Sequence, residues 1–305
     1  MTASAGRSVF AVILNYRSME MVLNCIAHLR SSDCSDMHLV VVDNDSQDGG
    51  VEELKQKEPG VTVIESPANH GYSAGNNIGI RYALDHGATH ILILNPDTEV
   101  GPVFLRPLLE EADRDAAIGA VTCKVINKQT GAIYPSGAHI NPWFCAVVPL
   151  DAVAVERRQS VTFISGCVML VKAEVFNAVG LLNEEYFLYQ EDVEFSSRVG
   201  QRYSMHYVPS VSILHHSGGG DDLRSYTPLY LFYSTRNRFL FYARRNAVWY
   251  PYVLAVSSMN VVLKAVRILL DGRWMSEMFP RLQLLALFDG FRDGVLLRTH
   301  RNFRY

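Results

Sequence analysis

Short aliphatic runs alternate with amphipathic stretches through the first hundred positions. Residues 9–14 (VFAVIL), 39–42 (LVVV) and 91–94 (ILIL) are apolar enough to be buried strands, and residues 61–64 (VTVI) read as a further strand, the third in chain order. Between the first two, Met21, Val22, Cys25, Ile26 and Leu29 recur at helical spacing, and residues 76–86 form a second helical segment. Strand, helix and parallel strand in succession predict right-handed crossovers and an α/β sheet covered on both sides.

Each of these strands ends in hydrogen-bonding side chains. Asn15-Tyr16 follows the first and Asp43-Asn44-Asp45-Ser46 the second. Asn69 to Asn76 (NHGYSAGN) follows the third within a few residues, and Asn95-Pro96-Asp97 the fourth. One polar end is an ordinary turn. Four on the same rim predict a crevice at the carboxyl edge of the sheet, where open α/β sheets hold their ligands.

Beyond residue 120 the pattern loosens. Gly131, Pro135, Gly137, Pro142 and Pro149 interrupt residues 120–156, which predicts short strands and a mobile loop. Residues 163–171 (FISGCVMLV) restore an apolar run with Gly166 inside it, a position that suits either a bulge, a close ligand approach or simple packing. In YFLYQEDVEFSSRV, Glu191, Asp192 and Glu194 open a helical pattern. They serve either to complement the helix dipole or, with aromatic walls around them, as a general base. In ILHHSGGGDD, His215 and His216 end a strand-like run. With a carboxylate from another strand, either becomes a metal ligand, and Gly218 to Gly220 would let backbone amides approach a phosphate.

Composition removes several classes. The net charge of −3 offers no basic excess for nucleic acid. Five widely spaced Cys form neither a zinc knuckle nor a disulfide framework, and reduced buried thiols are expected. No apolar signal segment opens the chain, which argues for a cytoplasmic protein. The GxxxxGK[ST] and GxSxG patterns and the kinase motif set are absent, and GYSAGNNIG lacks GxGxxG spacing.

Taken in order, VILNY, VVDNDSQD, NHGYSAGNNIG, LNPDTEV, SGCVMLVKAEVF, GLLNEEYFLYQEDVEF and HHSGGG resemble the family 2 glycosyltransferases, most of all their rhamnosyltransferase-like branch. The likeness runs from Val9 to Gly220 and continues in YSTRNRFLFYARRN. Each motif alone is weak; their order is specific. The resemblance implies a GT-A fold, with one nucleotide-binding domain on a mostly parallel sheet and a C-terminal helical extension. It implies a catalytic domain at 1–225, with a nucleotide-sugar half to about residue 100 and an acceptor half after it, and an extension at 226–305.

It also implies inverting transfer of a sugar, rhamnose or another deoxysugar among the candidates, from a nucleoside diphosphate to an acceptor hydroxyl. Asp43 matches the position that contacts the nucleobase, with Asn44 beside it, and Asn15 and Tyr16 match the strand end beside the nucleoside. Gly71, Gly75 and Asn76 match a loop under ribose and phosphate. Asp97 matches the last acid of the family's Asp-x-Asp metal motif, Asp192 the catalytic base, and His215 or His216 the later metal-binding His, with His215 favoured. Where the broad family has Asp, this chain has Asn95, which can bind ribose or offer a carbonyl oxygen but brings no charge; metal affinity and metal choice follow from that difference. The implied cofactor is Mg²⁺ or Mn²⁺, and the implied donor is dTDP- or UDP-linked. The acceptor is a glycan, a lipid-linked glycan or a small-molecule aglycone.

Two other classes compete. A non-catalytic sugar-nucleotide-binding or membrane-associated scaffold would not need Asp97, Asp192 and a His. A nucleotidyltransferase should carry a glycine-rich basic loop after the first strand, which is missing. From Tyr226 the texture changes: Arg236, Arg238, Arg244 and Arg245 cluster among aromatics, and residues 246–263 carry no charge but contain Pro251. Three readings stand: helices packed on the catalytic domain, amphipathic helices on the inner face of the plasma membrane, or a spanning helix.

Overall fold

The structure, a computed structural model, describes residues 6–33, 37–216, 226–245, 247–270 and 278–299. Gly218 to Gly220, singled out above, lie outside them, as does Cys34, one of the five Cys. The chain divides into two compact units: Met1–His139 with Val148–Glu184 and Asp192–Gly218, and Ile140–Val147 with Glu185–Glu191 and Gly219–Tyr305.

The first unit alternates strands and helices as its apolar pattern predicts. β1 (Val9–Asn15), α1 (Met19–Arg30), β2 (His38–Asp43), α2 (Gly50–Lys57), β3 (Thr62–Glu65), α3 (Gly71–Asp85) and β4 (His90–Leu94) build the opening half. β5 (Thr98–Val100), α4 (Leu105–Asp113), β6 (Ile118–Asn127) and β7 (Ile133–Tyr134) follow, then β8 (Gly137–Asn141), β9 (Ala146–Pro149), β10 (Gln159–Val161), β11 (Phe163–Ile164) and β12 (Val168–Lys172). Two helices, α5 (Ala173–Val179) and α6 (Glu191–Val199), precede the long strand β13 (Ser204–His215).

The main sheet has the order β10-β13-β6-β12-β4-β1-β2-β3. Strands β4, β1, β2 and β3 are mutually parallel, as are β6 and β13, while β12 lies antiparallel between β4 and β6. The sheet is therefore mixed and mostly parallel, with helices on both faces. Val22, Ile26, Leu54 and Leu108 fill one side; Ile80, Phe176 and Phe195 fill the other.

Three local expectations need correction. Residues 120–127 belong to a regular ten-residue strand, β6, because their alternation is masked when both faces are buried. Residues 163–171 are two strands, not one: β11 pairs with β8 and β12 enters the main sheet, with Gly166 at the break. Helix α3 starts at Gly71, so Gly71, Gly75 and Asn76 lie on a helix rather than in a loop. The glycines made that segment look like loop, but their reason is packing: a Cβ on Gly75 would come 2.5 Å from Leu14 Cδ1 and 3.4 Å from Asn44 Cγ. Gly71 itself needs the left-handed region, at φ 81°.

The second unit contains α7 (Pro228–Arg245), α8 (Tyr250–Leu270) and α9 (Met278–Val295), packed around Leu231, Val261, Ile268 and Leu287. It also takes in the segments 140–147 and 185–191, which a single boundary at residue 225 does not anticipate. The cause is hydrogen bonding from α7: Asn237 Nδ2 donates to the carbonyls of Leu188 and Tyr189 at 2.9 and 2.8 Å, and Arg238 donates to those of Phe144, at 3.0 Å, and Cys145. The arginine cluster splits by role. Arg236 is fully buried against Tyr233, Arg244 pairs with Glu185, and Arg245 covers the Phe241 ring. Helix α8 is long and apolar enough to cross a membrane by length and composition, and 28% of its apolar window is buried within the protein.

Candidate active site

Strand order decides where ligands go. β2 lies on one side of β1 and β4 on the other, so the chain reverses its direction of sheet growth between β1 and β4 and leaves a crevice at their carboxyl ends. Asn15 faces Asp43 in register at one side of that crevice. On the other, Leu94 faces Val168, so the turn after β4 meets the start of antiparallel β12.

At the β1–β2 side the polar residues are engaged with one another. Asn15 is fully buried; its Nδ2 donates to Asp43 Oδ1 at 2.7 Å and Ser46 Oγ at 3.1 Å, and its Oδ1 accepts from the Ser18 amide at 3.1 Å. Asp43 also accepts from the Ser46 amide at 3.0 Å. Asn44 spans to the start of α3: its Nδ2 donates to Asn69 Oδ1 at 2.9 Å and the Gly71 carbonyl at 3.2 Å, while its Oδ1 accepts from the His70 amide at 3.1 Å. Asn15 and Asn44 thus spend their amides on fixing the walls. Tyr16 differs: its ring is 44% exposed, with Arg17 5.2 Å from its centre, and is free to stack on a planar group. Asn76 donates to the Tyr72 carbonyl at 2.9 Å and is buried.

At the β4 side the turn Asn95-Pro96-Asp97-Thr98 is closed by Thr98 Oγ1 donating to the Asn95 carbonyl at 2.8 Å. It leads into β5, which pairs antiparallel with β13 so that Thr98 faces His215. That register sets Asp97 beside the end of β13. Asp97 Oδ1 stands 3.1 Å from His215 Nε2, with both residues at least nine-tenths buried. The imidazole nitrogen nonetheless has no hydrogen-bond partner. His216 turns elsewhere, 2.7 Å from Glu99 Oε1, where Lys128 also binds at 2.6 Å. These partners, Lys128 first, hold the Glu99 carboxyl down to about 2 against the effect of burial. The His216 amide donates to the Asp97 carbonyl at 2.9 Å, but it is the His215 ring, and not the His216 ring, that meets the Asp97 carboxylate, because consecutive residues at a strand end project to opposite sides.

A divalent cation fits the first pair. Two atoms bound about 2.1 Å from one octahedral cation stand about 3 Å apart. The Asp97 oxygen and His215 nitrogen meet that spacing in a misaligned geometry that forms no hydrogen bond of their own. Among the described residues there is no group of three or more His, Cys, Asp or Glu side chains able to enclose a metal. Such a two-ligand site leaves the remaining positions to water and substrate oxygens, as Mg²⁺ and Mn²⁺ sites at phosphates do.

Across from it lies Asp192, in the first turn of α6. Its Oδ2 accepts from the Gly166 amide at 3.2 Å and its Oδ1 from the Val193 amide at 2.9 Å. Burial pushes this carboxyl up to about 6, against the pull of those amides. The neighbouring acid Glu194 is spent on Arg198, at 2.7 Å to both Nε and Nη2. Asp97 and Asp192 act on a common neighbour: burial first, and then the Asp97 and Asp192 charges among others, push the Cys167 thiol up. One residue absent from the sequence expectations ties the two halves together. The Tyr72 hydroxyl lies 2.7 Å from the Gly166 carbonyl and 3.1 Å from Asn95 Oδ1. An aromatic in the first turn of a glycine-rich helix was the available signal.

Comparison with known proteins gives the family. The family model described as glycosyl transferase family 2 matches residues 10–180, more than half of the chain. An N-acetylglucosaminyl-diphospho-decaprenol L-rhamnosyltransferase of Mycobacterium tuberculosis is 30% identical over 70% of this chain and 76% of its own length. The dTDP-rhamnosyl transferase RfbF of Shigella flexneri is 27% identical over 93% of this chain and 96% of its own. The solved structure of GalNAc-T7 with UDP, GalNAc and Mn²⁺ superposes with a TM-score of 0.58 at 18% identity; the match covers 79% of this chain and about half, 51%, of that one. With a GT-A-like sheet and this extent of family match, the chain belongs to glycosyl transferase family 2 and is a glycosyltransferase.

Proposed function

We propose that the enzyme transfers a hexosyl group, rhamnose or another deoxysugar, from a dTDP- or UDP-linked donor to an acceptor hydroxyl with inversion at the anomeric carbon. The observation that carries this reading is the buried Asp97–His215 pair at 3.1 Å, whose nitrogen lacks a hydrogen-bond partner. Asp97 and His215 would hold Mg²⁺ or Mn²⁺. Bound there, the cation would offset the charge that develops on the diphosphate as the glycosidic bond breaks. The names of the two rhamnosyltransferase relatives support the donor class, and that of the mycobacterial one supports a lipid-linked glycan as acceptor.

The chain's own groups supply the rest. Tyr16 stacks on the nucleobase, and Asp43, oriented by Asn15 and Ser46, accepts a hydrogen bond from the nucleoside. Asn44 holds the start of α3 in place under the donor. Asp192, ionised above about pH 6, takes the proton from the acceptor hydroxyl as that oxygen attacks the anomeric carbon. Such general base help contributes about 10²- to 10⁴-fold. The Gly166 and Val193 amides fix which carboxylate lone pairs face the acceptor. Attack from the side opposite the leaving diphosphate inverts the centre, and Glu194, tied to Arg198, offers no competing nucleophile.

We place the reaction in the cytoplasm, with peripheral contact at the inner face of the plasma membrane as the setting for a lipid-linked acceptor. The test is release of nucleoside diphosphate from dTDP-rhamnose and a set of UDP-sugars, with and without Mn²⁺. Metal-dependent release from at least one donor is expected. Equal release without metal overturns the role of Asp97 and His215.

A further inference from the structure

Helices α7 and α8 enclose a small polar cleft inside the second unit. Its lining is Thr235 and Arg238 from α7 with Ser257, Asn260, Val261 and Lys264 from α8. The α8 residues recur at helical spacing on one face. The cleft has a volume of about 20 Å³, room for one water-sized oxygen.

Its chemistry is one-sided. Arg238 and Lys264 bring two cations, and neither has a carboxylate partner among the described residues. The bonds Arg238 makes go to two neutral carbonyls, those of Phe144 and Cys145. Burial, and then the charge of Arg238, lower the Lys264 amine to about 8. Two further groups sit there unmatched. Thr235 and Ser257 are 8% and 7% exposed, and the hydroxyl of each is buried without a hydrogen-bond partner. A buried hydroxyl left unpaired costs about 1–3 kcal/mol, and like charges brought together away from water add to that.

We propose that this cleft is an anion site that takes an oxygen-rich phosphate group. Two hydroxyl donors and two cations converge on a space that admits a single oxygen, so the remaining oxygens of the group stay at the mouth. The oxygen inside accepts from the two hydroxyls, and the oxygens of a tetrahedral phosphate left at the mouth suffice for the two cations; a planar carboxylate would have one oxygen left for both. The site rests on the second unit alone and stands apart from the proposed sugar transfer. The phosphate could come from free phosphate or from a lipid headgroup.

The test is calorimetric titration of inorganic phosphate into the full chain in metal-free buffer with UDP in excess, so that the donor site does not contribute. Wild type should bind, and Lys264→Met, which keeps the side-chain volume, should weaken binding at least about tenfold. The double variant Thr235→Val, Ser257→Ala keeps both charges and should also weaken it, which a merely structural role for the hydroxyls would not produce. Flotation with phosphatidylglycerol and phosphatidylcholine vesicles separates the sources. Flotation on the anionic vesicles alone, lost in Lys264→Met, assigns a lipid headgroup; phosphate binding without flotation assigns free phosphate. No binding by wild type, or equal binding by wild type and both variants with unchanged folding, overturns the proposal.

Discussion

The amide of Gly166, at the break before β12, donates to Oδ2 of Asp192, in the first turn of α6, at 3.2 Å. A residue at the mouth of the sheet thus orients the one acid of the Glu191-Asp192-Glu194 group that sits against the β12 break. Burial raises the Asp192 carboxyl to about 6, and as the proposed base Asp192 must be ionised to act, so the sign follows. Activity is full above that value and falls about tenfold per pH unit below it. A kcat/KM profile between pH 4.5 and 8 should show this acid limb; a flat profile would remove Asp192 as the base. Asp192→Asn should keep donor affinity and lose most turnover.

Tyr72 joins Gly166 to Asn95 through one hydroxyl. Tyr72→Phe should fold, lose about 1 kcal/mol of stability and transfer sugar about tenfold more slowly with donor KM little changed. Steady-state kinetics and urea denaturation check both parts. A rise in KM alone would mean that the hydroxyl binds donor instead of placing the strand ends.

Gly75 is a packing glycine. Gly75→Ala drives a methyl against Leu14 and Asn44 and should destabilise the protein by about 1–3 kcal/mol, read from the urea midpoint. Where the variant is folded, donor affinity should fall only as far as Asn44 shifts. Unchanged stability with lost donor binding would instead give this position a ligand contact.

The two histidines should separate. His216 belongs to a partly exposed charge cluster with Glu99 and Lys128 that stands apart from the Asp97 carboxylate, and ion pairs near the surface contribute about 1 kcal/mol or less. His216→Ala should therefore leave transfer near normal, whereas His215→Ala should remove most of it. Equal losses would place both rings on the reaction.

Much of this was legible in the residues, for a physical reason. Buried parallel strands need continuous aliphatic runs, so β1, β2 and β4 announced themselves, and their polar ends marked the rim. Asp97, Asp192 and a His were named by the resemblance of their motifs to the family, since an acid or a His at a strand or helix end has, taken alone, an equally good reading as a turn or a helix-dipole partner. What stayed hidden depends on pairing between distant segments. That β5 pairs with β13, which sets the His215 ring against Asp97, is a matter of register that local pattern does not encode; only the family resemblance favoured His215 beforehand. The internal use of Asn15 and Asn44 was equally hidden, since an amide that fixes a wall and one that binds a nucleoside have the same sequence signature. The glycines of α3 misled, because close packing on Leu14 and a flexible loop select the same residue.

The proposed metal site is tested by Mn²⁺ binding, measured by electron paramagnetic resonance in the presence of UDP or dTDP. Wild type and His216→Ala should hold the ion alike, while Asp97→Ala and His215→Ala should each weaken it at least about tenfold. Unaltered Mn²⁺ binding in both of the latter variants would contradict it.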